Sequence, residues 1–227
     1  MLAVTDGDVP VGARSRSGER RTQEQRSAQT RAKLMDATVE CLVEFGYGGT
    51  TTSRVAERAG VTRGAQLHHF GSRNALVSAA VRHLAARRSA EAIEQVGRVA
   101  HADDPIGALL DLLWDLHDGP LFTATVELWV AARTDPELRA EVVAFERIVD
   151  QSVGSAVAGV LPAGVHVERA LLDFVYTAMD ALRGILISSF VDPASDRPRR
   201  RWARAGEVLR GAADPELLAA IAPAPTD

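Results

Sequence analysis

The stretch AGVTRGAQLHHF, residues 59–70, decides the fold, because it contains both the end of one helix and the start of the next. Gly60 can adopt the left-handed backbone that ends a helix, and the Thr62 hydroxyl can accept hydrogen bonds from the free amides that begin one. Thr51 is placed to cap a helix over residues 52–59 in the same way. Two short helices joined at such a tight turn form a helix-turn-helix.

Longer helices flank this unit on both sides. Apolar residues recur at helical spacing over residues 27–45, and Gly46 supplies the stop. After Ser72 the same periodicity predicts helices over residues 73–99, 104–119, 121–133, 135–161, 167–191 and 199–209, with Pro215 opening a short terminal segment. No alternating strand pattern of useful length and no internal repeat occurs. The sequence therefore predicts an all-α protein.

Charge is distributed unevenly along the 227 residues. Residues 1–90 contain 14 Lys or Arg and 8 Asp or Glu, whereas residues 91–227 contain 12 and 22. The first part can approach a polyanion, and the second would repel one. Residues 1–26 mix Gly, Ser, Pro and Arg without periodicity. We expect them to form a disordered Arg-rich arm, which either makes loose phosphate contacts or serves only as a solubilising tail.

The chain carries no pattern typical of export or membrane insertion. Residues 1–33 contain no apolar run, and charged residues interrupt the apolar segment 167–191. Cys41 is the single cysteine, which excludes an internal disulfide and a cysteine-based zinc site within one chain. We expect a soluble cytoplasmic protein with no membrane partner.

The adjacent His68 and His69 raise the question of a metal or catalytic site. Neighbouring helical residues point about 100° apart, and no third ligand lies at suitable spacing, so a metal site is disfavoured. Serine and cysteine nucleophile patterns, Walker loops and HExxH are absent from the sequence. We therefore expect no catalytic residues, no metal and no cofactor, in a protein that is not an enzyme.

Residues 46–76 resemble the N-terminal DNA-binding domain of the TetR family of transcriptional regulators. The positions that match at the family's spacing are Gly46, Thr51, Val55, Ala56, Gly60, Val61, Gly64, Phe70, Ser72 and Leu76. The resemblance is close over residues 27–84. It implies a three-helix DNA-binding domain over residues 27–72. It also implies a helical effector-binding and dimerisation domain over residues 73–227, which begins with a linking helix over residues 73–99.

The resemblance also implies which residues contact DNA. Base-facing positions are occupied by Arg63, Gly64, Ala65, Leu67 and His68, and phosphate-facing positions by Thr51, Thr52, His69 and Arg73. The Arg63 guanidinium can donate to O6 and N7 of guanine, while Gly64 and Ala65 leave room for the backbone to approach the groove. Thr62 joins the phosphate contacts, because a hydroxyl near a helix start suits phosphate oxygens.

Two residues depart from the family's pattern. Where the family often has Leu followed by Tyr, this chain has Gln66 followed by Leu67. A position that usually belongs to the core is thus polar, and a usual phenolic contact is aliphatic. Leu67 and Phe70 share a helix face by their spacing of three, which suggests a slightly rotated recognition helix.

Eight of the 11 aromatic residues lie between Trp114 and Trp202. Core packing is the ordinary role of each, yet apolar walls with a few polar groups are also what a small-molecule cavity between helices requires. In the resembling family this domain binds an effector. We predict a partly apolar effector in a pocket lined by Trp114, His117, Phe122, Trp129, Phe145, Tyr176 and Asp180.

Small residues follow one another along the predicted helix 167–191, at Ala178, Ala181, Gly184 and Ser188. Small side chains let helices approach closely, and the resembling family dimerises through its last two long helices. We expect a homodimer formed by residues 167–191 and 199–211.

The function that the resemblance implies is that of a transcriptional repressor. The homodimer would place two recognition helices in successive major grooves, roughly 34 Å apart, on a near-palindromic operator of double-stranded DNA. A small-molecule effector would shift the helix over residues 73–99 and release the DNA. Two alternatives are open. One is a regulator whose C-terminal half answers to a protein partner or to nothing, and the other is an all-α enzyme or small-molecule carrier with a vestigial helix-turn-helix.

Overall fold

The computed structural model describes residues 13–99, 101–161, 168–192 and 194–221. These segments form ten α-helices and contain no β-strand, which confirms the all-α class. The helices are α1 Ala13–Gly49, α2 Thr52–Arg58, α3 Arg63–Phe70, α4 Arg73–Val99, α5 Pro105–His117, α6 Pro120–Ala132, α7 Pro136–Val160, α8 Glu168–Ile187, α9 Arg197–Ala212 and α10 Pro215–Ile221. Among the described residues, no helix combines the length and apolar character needed to cross a membrane.

Helix α1 begins earlier than the sequence pattern predicts. Residues 13–26, expected to belong to a disordered arm, form its first turns, while residues 1–12 of that arm lie outside the described residues. This part of α1 contains no proline and is rich in Glu, Gln and Arg, which favour helix. Extending an existing helix also requires no new nucleus. Residues 13–26 therefore continue the helix instead of forming an irregular arm.

The chain leaves regular helical geometry at Gly46, where φ is 65° and ψ is 178°. Gly46 thus acts as the predicted stop, and residues 47–49 add one further turn. A Cβ atom at position 46 would lie 2.8 Å from Oε2 of Glu127 on α6. The positive φ and this close approach together require glycine at the junction.

Side-chain caps define the starts of five helices. Each capping oxygen accepts from the amide three residues further on: Thr51 from Arg54 (3.3 Å), Thr62 from Ala65 (3.1 Å), Ser72 from Ala75 (3.1 Å), Asp104 from Gly107 (3.0 Å) and Asp135 from Leu138 (3.0 Å). These bonds satisfy amides that have no partner within the helix. The predicted starts of α2, α3, α5 and α7 are confirmed.

One hydrophobic cluster joins the first three helices to the C-terminal part of the chain. It contains Leu34 and Leu42 of α1, Leu76 of α4, and Leu138 and Phe145 of α7, all buried. Helix α1 packs against both α4 and α6. The predicted boundary at residue 72 is therefore a turn between helices and not a gap in the core.

A second cluster lies between α5, α6, α7, α8, α9 and α10. Its buried aromatic residues are Trp114, Phe122, Phe174 and Trp202. Trp202 of α9 donates its indole N–H to the carbonyl of Leu110 on α5 at 3.3 Å, so the burial of its polar atom is compensated. This cluster holds α8 and α9 together at one side of the cavity described below.

The small residues predicted to follow one helix do not lie on one face, and the last of them, Ser188, comes after the end of α8 at Ile187. Ala178 is fully buried in the second cluster and Ala181 is half-buried, whereas Gly184 and Ser188 are exposed. The two steps of three residues from Ala178 to Gly184 each fall short of a full turn by about 60°, so the row drifts around the helix. The first half of the row therefore packs inside the chain, and its second half is exposed.

Candidate functional site

The turn between α2 and α3 has the geometry that the opening stretch predicts. Gly60 has a φ of 66°. The amide of Gly60 donates to the carbonyl of Glu57 at 3.1 Å, and that of Val61 donates to the carbonyl of Ala56 at 3.0 Å. These bonds satisfy the last carbonyls of α2. Val55 and Ala56 are buried inside the corner, which positions α3 against the rest of the domain.

Helix α3 presents the predicted base-facing residues to solvent. Arg63, Gly64, Leu67 and His68 are exposed, and Ala65 is half-buried. Of the predicted phosphate-facing residues, Thr51 and Thr62 are exposed, and Thr52, His69 and Arg73 are half-buried. A Cβ added at Gly64 would meet only Oγ1 of Thr62, at 3.9 Å. The fold itself does not require a glycine at position 64, which leaves close approach of an outside molecule as a reason for it.

The opposite face of α3 carries Gln66 and Phe70. Gln66 is fully buried, and neither its amide nitrogen nor its amide oxygen has a hydrogen-bond partner. Leu67 is 56% exposed, so Leu67 and Phe70 do not share the buried face. Residues four apart lie on one face of a helix, so anchoring Phe70 in the core brings Gln66 inside with it. The polar residue is therefore inside and the apolar residue outside.

Arg73 has partners within the chain that the sequence did not predict. Its guanidinium donates from Nε to the carbonyl of Thr50 at 2.5 Å and from Nη2 to the carbonyl of Tyr47, and it lies 4.0 Å from the centre of the Tyr47 ring. These two bonds use two of the five N–H donors of the guanidinium. Arg73 ties the end of α1 to the start of α4, which is a structural role.

The histidine pair and the cysteine form no reactive cluster. The rings of His68 and His69 lie 5.6 Å apart in an edge-to-face arrangement. Within the described segments, no three His, Cys, Asp or Glu side chains are grouped closely enough to hold a metal ion. Burial raises the pKa of the Cys41 thiol, which disfavours the reactive thiolate.

A cavity of about 190 Å³ lies in the C-terminal part of the chain. Helices α4 to α8 all contribute to its walls, which are mostly aliphatic and aromatic. Four of the predicted pocket residues line it, namely His117, Phe122, Trp129 and Phe145. The Phe122 ring lies 6.4 Å from that of Trp129, edge to face, and 5.7 Å from that of His117. Part of the predicted aromatic set is thus brought together.

The other three predicted pocket residues lie elsewhere. Trp114 is buried in the second cluster and donates its indole N–H to Asp118 at 3.1 Å. The hydroxyl of Tyr176 lies 3.4 Å from a carboxylate oxygen of Asp150, and burial, followed by the charge of Asp150, raises the pKa of that phenol. Asp180 is exposed. Helix α8 is rotated so that Val175, Met179 and Arg183 line the cavity, whereas Tyr176 and Asp180 on the same helix do not.

Sequence reasoning missed the wall that α4 contributes and the small residues of α7. Small residues line this part of the cavity: Ala85, Ser89 and Ala92 of α4, and Ser152 and Ala156 of α7. Their spacing of three or four was the available signal, since small side chains on two packed helices leave space unfilled. Arg183 was missed as well, and a single arginine in an apolar helix carries no comparable sequence signal.

A polar junction connects the helix-turn-helix to α6. The amide of Tyr47 donates to Oε2 of Glu127 at 3.0 Å, and its hydroxyl donates to Oδ1 of Asn74 at 2.8 Å. Burial raises the pKa of the Tyr47 phenol, against the opposing effect of the nearby Arg73 cation. Glu127 lies two residues from both Thr125 and Trp129, which line the cavity. Helix α6 therefore contacts both the cavity and the end of α1.

Comparison with known proteins agrees with this arrangement. Residues 34–80 match the family model described as bacterial regulatory proteins, tetR family. The chain is 30% identical over 189 residues to the HTH-type transcriptional regulator CymR of Pseudomonas putida, which covers 81% of this chain and 91% of that protein. It is 30% identical over 152 residues to the HTH-type transcriptional repressor AcnR of Corynebacterium efficiens, covering 67% of this chain and 68% of the relative.

A solved structure shares the fold over both parts of the chain. The crystal structure of a protein assigned to the TetR family from Mesorhizobium loti superimposes with a TM-score of 0.60 at 19% identity, covering 82% of this chain and 96% of that one. The family match falls on residues of α1 to α4, whereas the CymR alignment covers 81% of the chain. The chain belongs to the TetR family and is a DNA-binding transcriptional regulator, not an enzyme.

Proposed function

We propose that this regulator is a repressor whose homodimer binds a near-palindromic operator and releases it when a small molecule occupies the cavity. The observation that carries the proposal is the accessible face of α3, which holds every residue proposed to meet bases. The proposed contacts are Arg63, Gly64, Ala65, Leu67 and His68 to bases, and Thr51, Thr52, Thr62 and His69 to phosphates. One relative's name, which describes it as a repressor, supports the direction of regulation.

In this proposal, recognition of the DNA base sequence depends most on Arg63. It follows the cap at Thr62 directly and is exposed, so its guanidinium can extend into a major groove. There it would donate to O6 and N7 of a guanine. Gly64 next to it lets the backbone of the first turn approach the groove wall.

The outward surfaces of α8 and α9 support the proposed dimer. Gly184 and Ile187 on α8, and Ala203 and Val208 on α9, are exposed although none of them is charged. Val208 is 68% exposed. Burying such side chains against a second copy would remove apolar surface from water, and Gly184 would allow close approach of the helices.

Helix α4 supports the proposed release mechanism. Its N-terminal half contributes Leu76 and Val77 to the cluster that also contains Phe70 of α3, and its C-terminal half lines the cavity from Ala85 to Val99. A molecule that fits the cavity only after α4 moves would therefore disturb the position of α3. Such coupling between sites typically amounts to about 1–3 kcal/mol.

The test begins with selection of bound fragments from the genome of the source organism, followed by affinity measurements on the selected site. Arg63→Ala should weaken operator binding by about 1–3 kcal/mol and relax the preference for one base. Gly64→Ala should weaken binding without destabilising the fold. Arg133→Ala, an exposed arginine after α6, is the control of equal charge and should bind as wild type does.

Two results would contradict the proposal. Operator binding by Arg63→Ala at the wild-type level would mean that α3 does not read the groove. A monomer in sedimentation at micromolar concentration, forming a one-to-one complex with the operator, would exclude the dimer.

A further inference from the structure

Polar groups in the cavity wall are almost all bonded within the protein. Thr125 donates to the carbonyl of Leu121 at 2.8 Å, and Ser152 donates to that of Ile148 at 2.9 Å. The hydroxyls of Ser89 and Ser152 lie 3.2 Å apart, and Nδ1 of His117 lies 2.8 Å from the carbonyl of Leu113. Trp129 donates its indole N–H to Glu146 at 2.7 Å. A ligand adds little hydrogen-bond energy at wall residues that already have hydrogen-bond partners within the protein. The exception among the described side chains of the wall is Arg183, whose Nε is buried without a hydrogen-bond partner.

The charge of Arg183 is only weakly compensated. Its ionic contact in the described part of the chain is with Asp180, 3.8 Å from Nη1. The side chain of Asp180 is 79% exposed, whereas that of Arg183 is 22% exposed. Solvent therefore screens the anion more than the cation. The Arg183 guanidinium lies 5.2 Å from the centre of the Trp129 ring, on the cavity side of α8.

A buried donor without an acceptor carries an unrecovered desolvation cost, which a ligand can remove by supplying the acceptor. A carboxylate supplies the acceptor and also the missing negative charge, and charge-assisted bonds are stronger than neutral ones. A cation would be repelled by Arg183. The Trp129 ring already faces Arg183. Glu146 also lies in the wall, and one of its oxygens accepts from the Trp129 indole, so a cation drawn to the remaining Glu146 oxygen would meet the repulsion of Arg183.

We propose that the cavity binds a compact apolar monocarboxylate. Its carboxylate accepts a hydrogen bond from Nε of Arg183 once that side chain shifts to expose the atom, and its hydrocarbon part fills the space between α4 and α7. This inference rests on the proposed function and names the chemical class of its effector. A dry apolar cavity of about 150 Å³ is large enough for benzene. The cavity of about 190 Å³ therefore suits one ring with a small substituent, or a short alkyl chain.

The experiment measures binding of benzoate and octanoate by titration calorimetry, with benzyl alcohol and benzylamine as the uncharged and cationic counterparts. Arg183→Met keeps an unbranched side chain as far as the position of Nε but has no charge and no donor, and Arg183→Lys keeps the charge without the Nε–H. Arg169→Met, on the same helix with a side chain that is 92% exposed, is the matched control. Circular dichroism checks that each variant is folded.

We expect at least one carboxylate to bind wild type and Arg169→Met equally. Arg183→Met should weaken that binding about tenfold or more, and Arg183→Lys should give an intermediate loss. Benzyl alcohol should bind more weakly than benzoate and be insensitive to position 183. The carboxylate that binds should also release operator DNA from wild type.

Three results would overturn the proposed ligand class. Equal carboxylate binding by wild type and both Arg183 variants would show that Nε is not the contact. Preference for benzylamine or benzyl alcohol, with operator release by that compound, would refute the carboxylate but leave the proposed function standing. Binding of neither carboxylate would also refute it. Failure of the ligand-free protein to bind any selected operator would instead contradict the proposed function, and this inference with it.

Discussion

Replacing Gln66 by methionine should stabilise the protein. The Gln66 side chain is fully buried in the core beneath α3, and both polar atoms of its amide lack hydrogen-bond partners. Methionine has nearly the same length and a similar helix propensity, so Gln66→Met changes the polarity of the site with little change in shape.

The expected gain follows from the cost of burying an amide without partners, roughly 1–3 kcal/mol in proteins. Gln66→Met removes this cost and adds apolar contacts with the cluster around Phe70. For a chain of this size, 1 kcal/mol corresponds to roughly 2–4 °C in Tm, so we expect a rise of about 2–12 °C. Operator affinity should stay at the wild-type level, because the Gln66 amide does not reach the outer face of α3.

The assay is reversible urea denaturation followed by far-UV circular dichroism, with wild type and variant at the same protein concentration. An increased midpoint at constant m-value would report a true gain in stability. Gln29→Met, on the exposed surface of α1, is the matched control and should change stability by less than about 0.5 kcal/mol. Equal or lower stability of Gln66→Met would refute the reasoning, since it would mean that the amide is hydrogen-bonded in solution.

Three further outcomes are expected. Arg73→Ala should destabilise the protein by about 1–3 kcal/mol, because its two hydrogen bonds to backbone carbonyls are lost. The salt dependence of DNA binding by the folded variant should not change. A smaller salt slope would instead indicate a lost phosphate contact. Glu127→Ala should reduce the effect of the effector on operator affinity by about 0.5–2 kcal/mol, with little change in the affinity of the ligand-free protein for its operator. An unchanged effect of the effector would show that α6 does not couple the cavity to the helix-turn-helix. The hydrogen bond from Arg210, followed by the one from the Gly107 amide, lowers the pKa of Asp104. The Asp104 carboxylate therefore stabilises the fold at pH values above the ordinary carboxyl pKa. This stabilisation is lost as the pH falls through the lowered pKa. Asp104→Asn should therefore lose about 0.5–1 kcal/mol at neutral pH but little in acid, and an equal loss at both pH values in urea denaturation would contradict this assignment.

Much of the fold could be predicted because its signals are local. The caps at Thr51, Thr62, Asp104 and Asp135 each bond an amide three residues away, so the sequence contains the whole interaction. The accessible face of α3 follows similarly from helical periodicity once Phe70 is anchored. The boundary of α1 was less predictable, since residues 13–26 have no apolar pattern and are helical as a continuation of a helix that is packed elsewhere.

The candidate sites were predictable only in part, because tertiary partners decide them. Arg73 lies at a helix start, where a phosphate contact is a reasonable expectation, yet its acceptors belong to residues 23 and 26 positions earlier. Trp129 and Tyr176 are both aromatic residues on amphipathic helices, and only the packing of α6 and α8 turns one toward the cavity and the other toward Asp150.

By itself, the sequence determined the helices, the turn between α2 and α3 and the family to which the chain is related, because capping, glycine conformation and helical periodicity act over a few residues. The tertiary structure decided which side chains are inside. It buried Gln66 without partners, bonded Arg73 to the end of α1 and placed Arg183, whose Nε is unpaired, in the cavity wall. Burial and hydrogen-bond partnership depend on the rotation of each helix against its neighbours, and that rotation is set by the whole core.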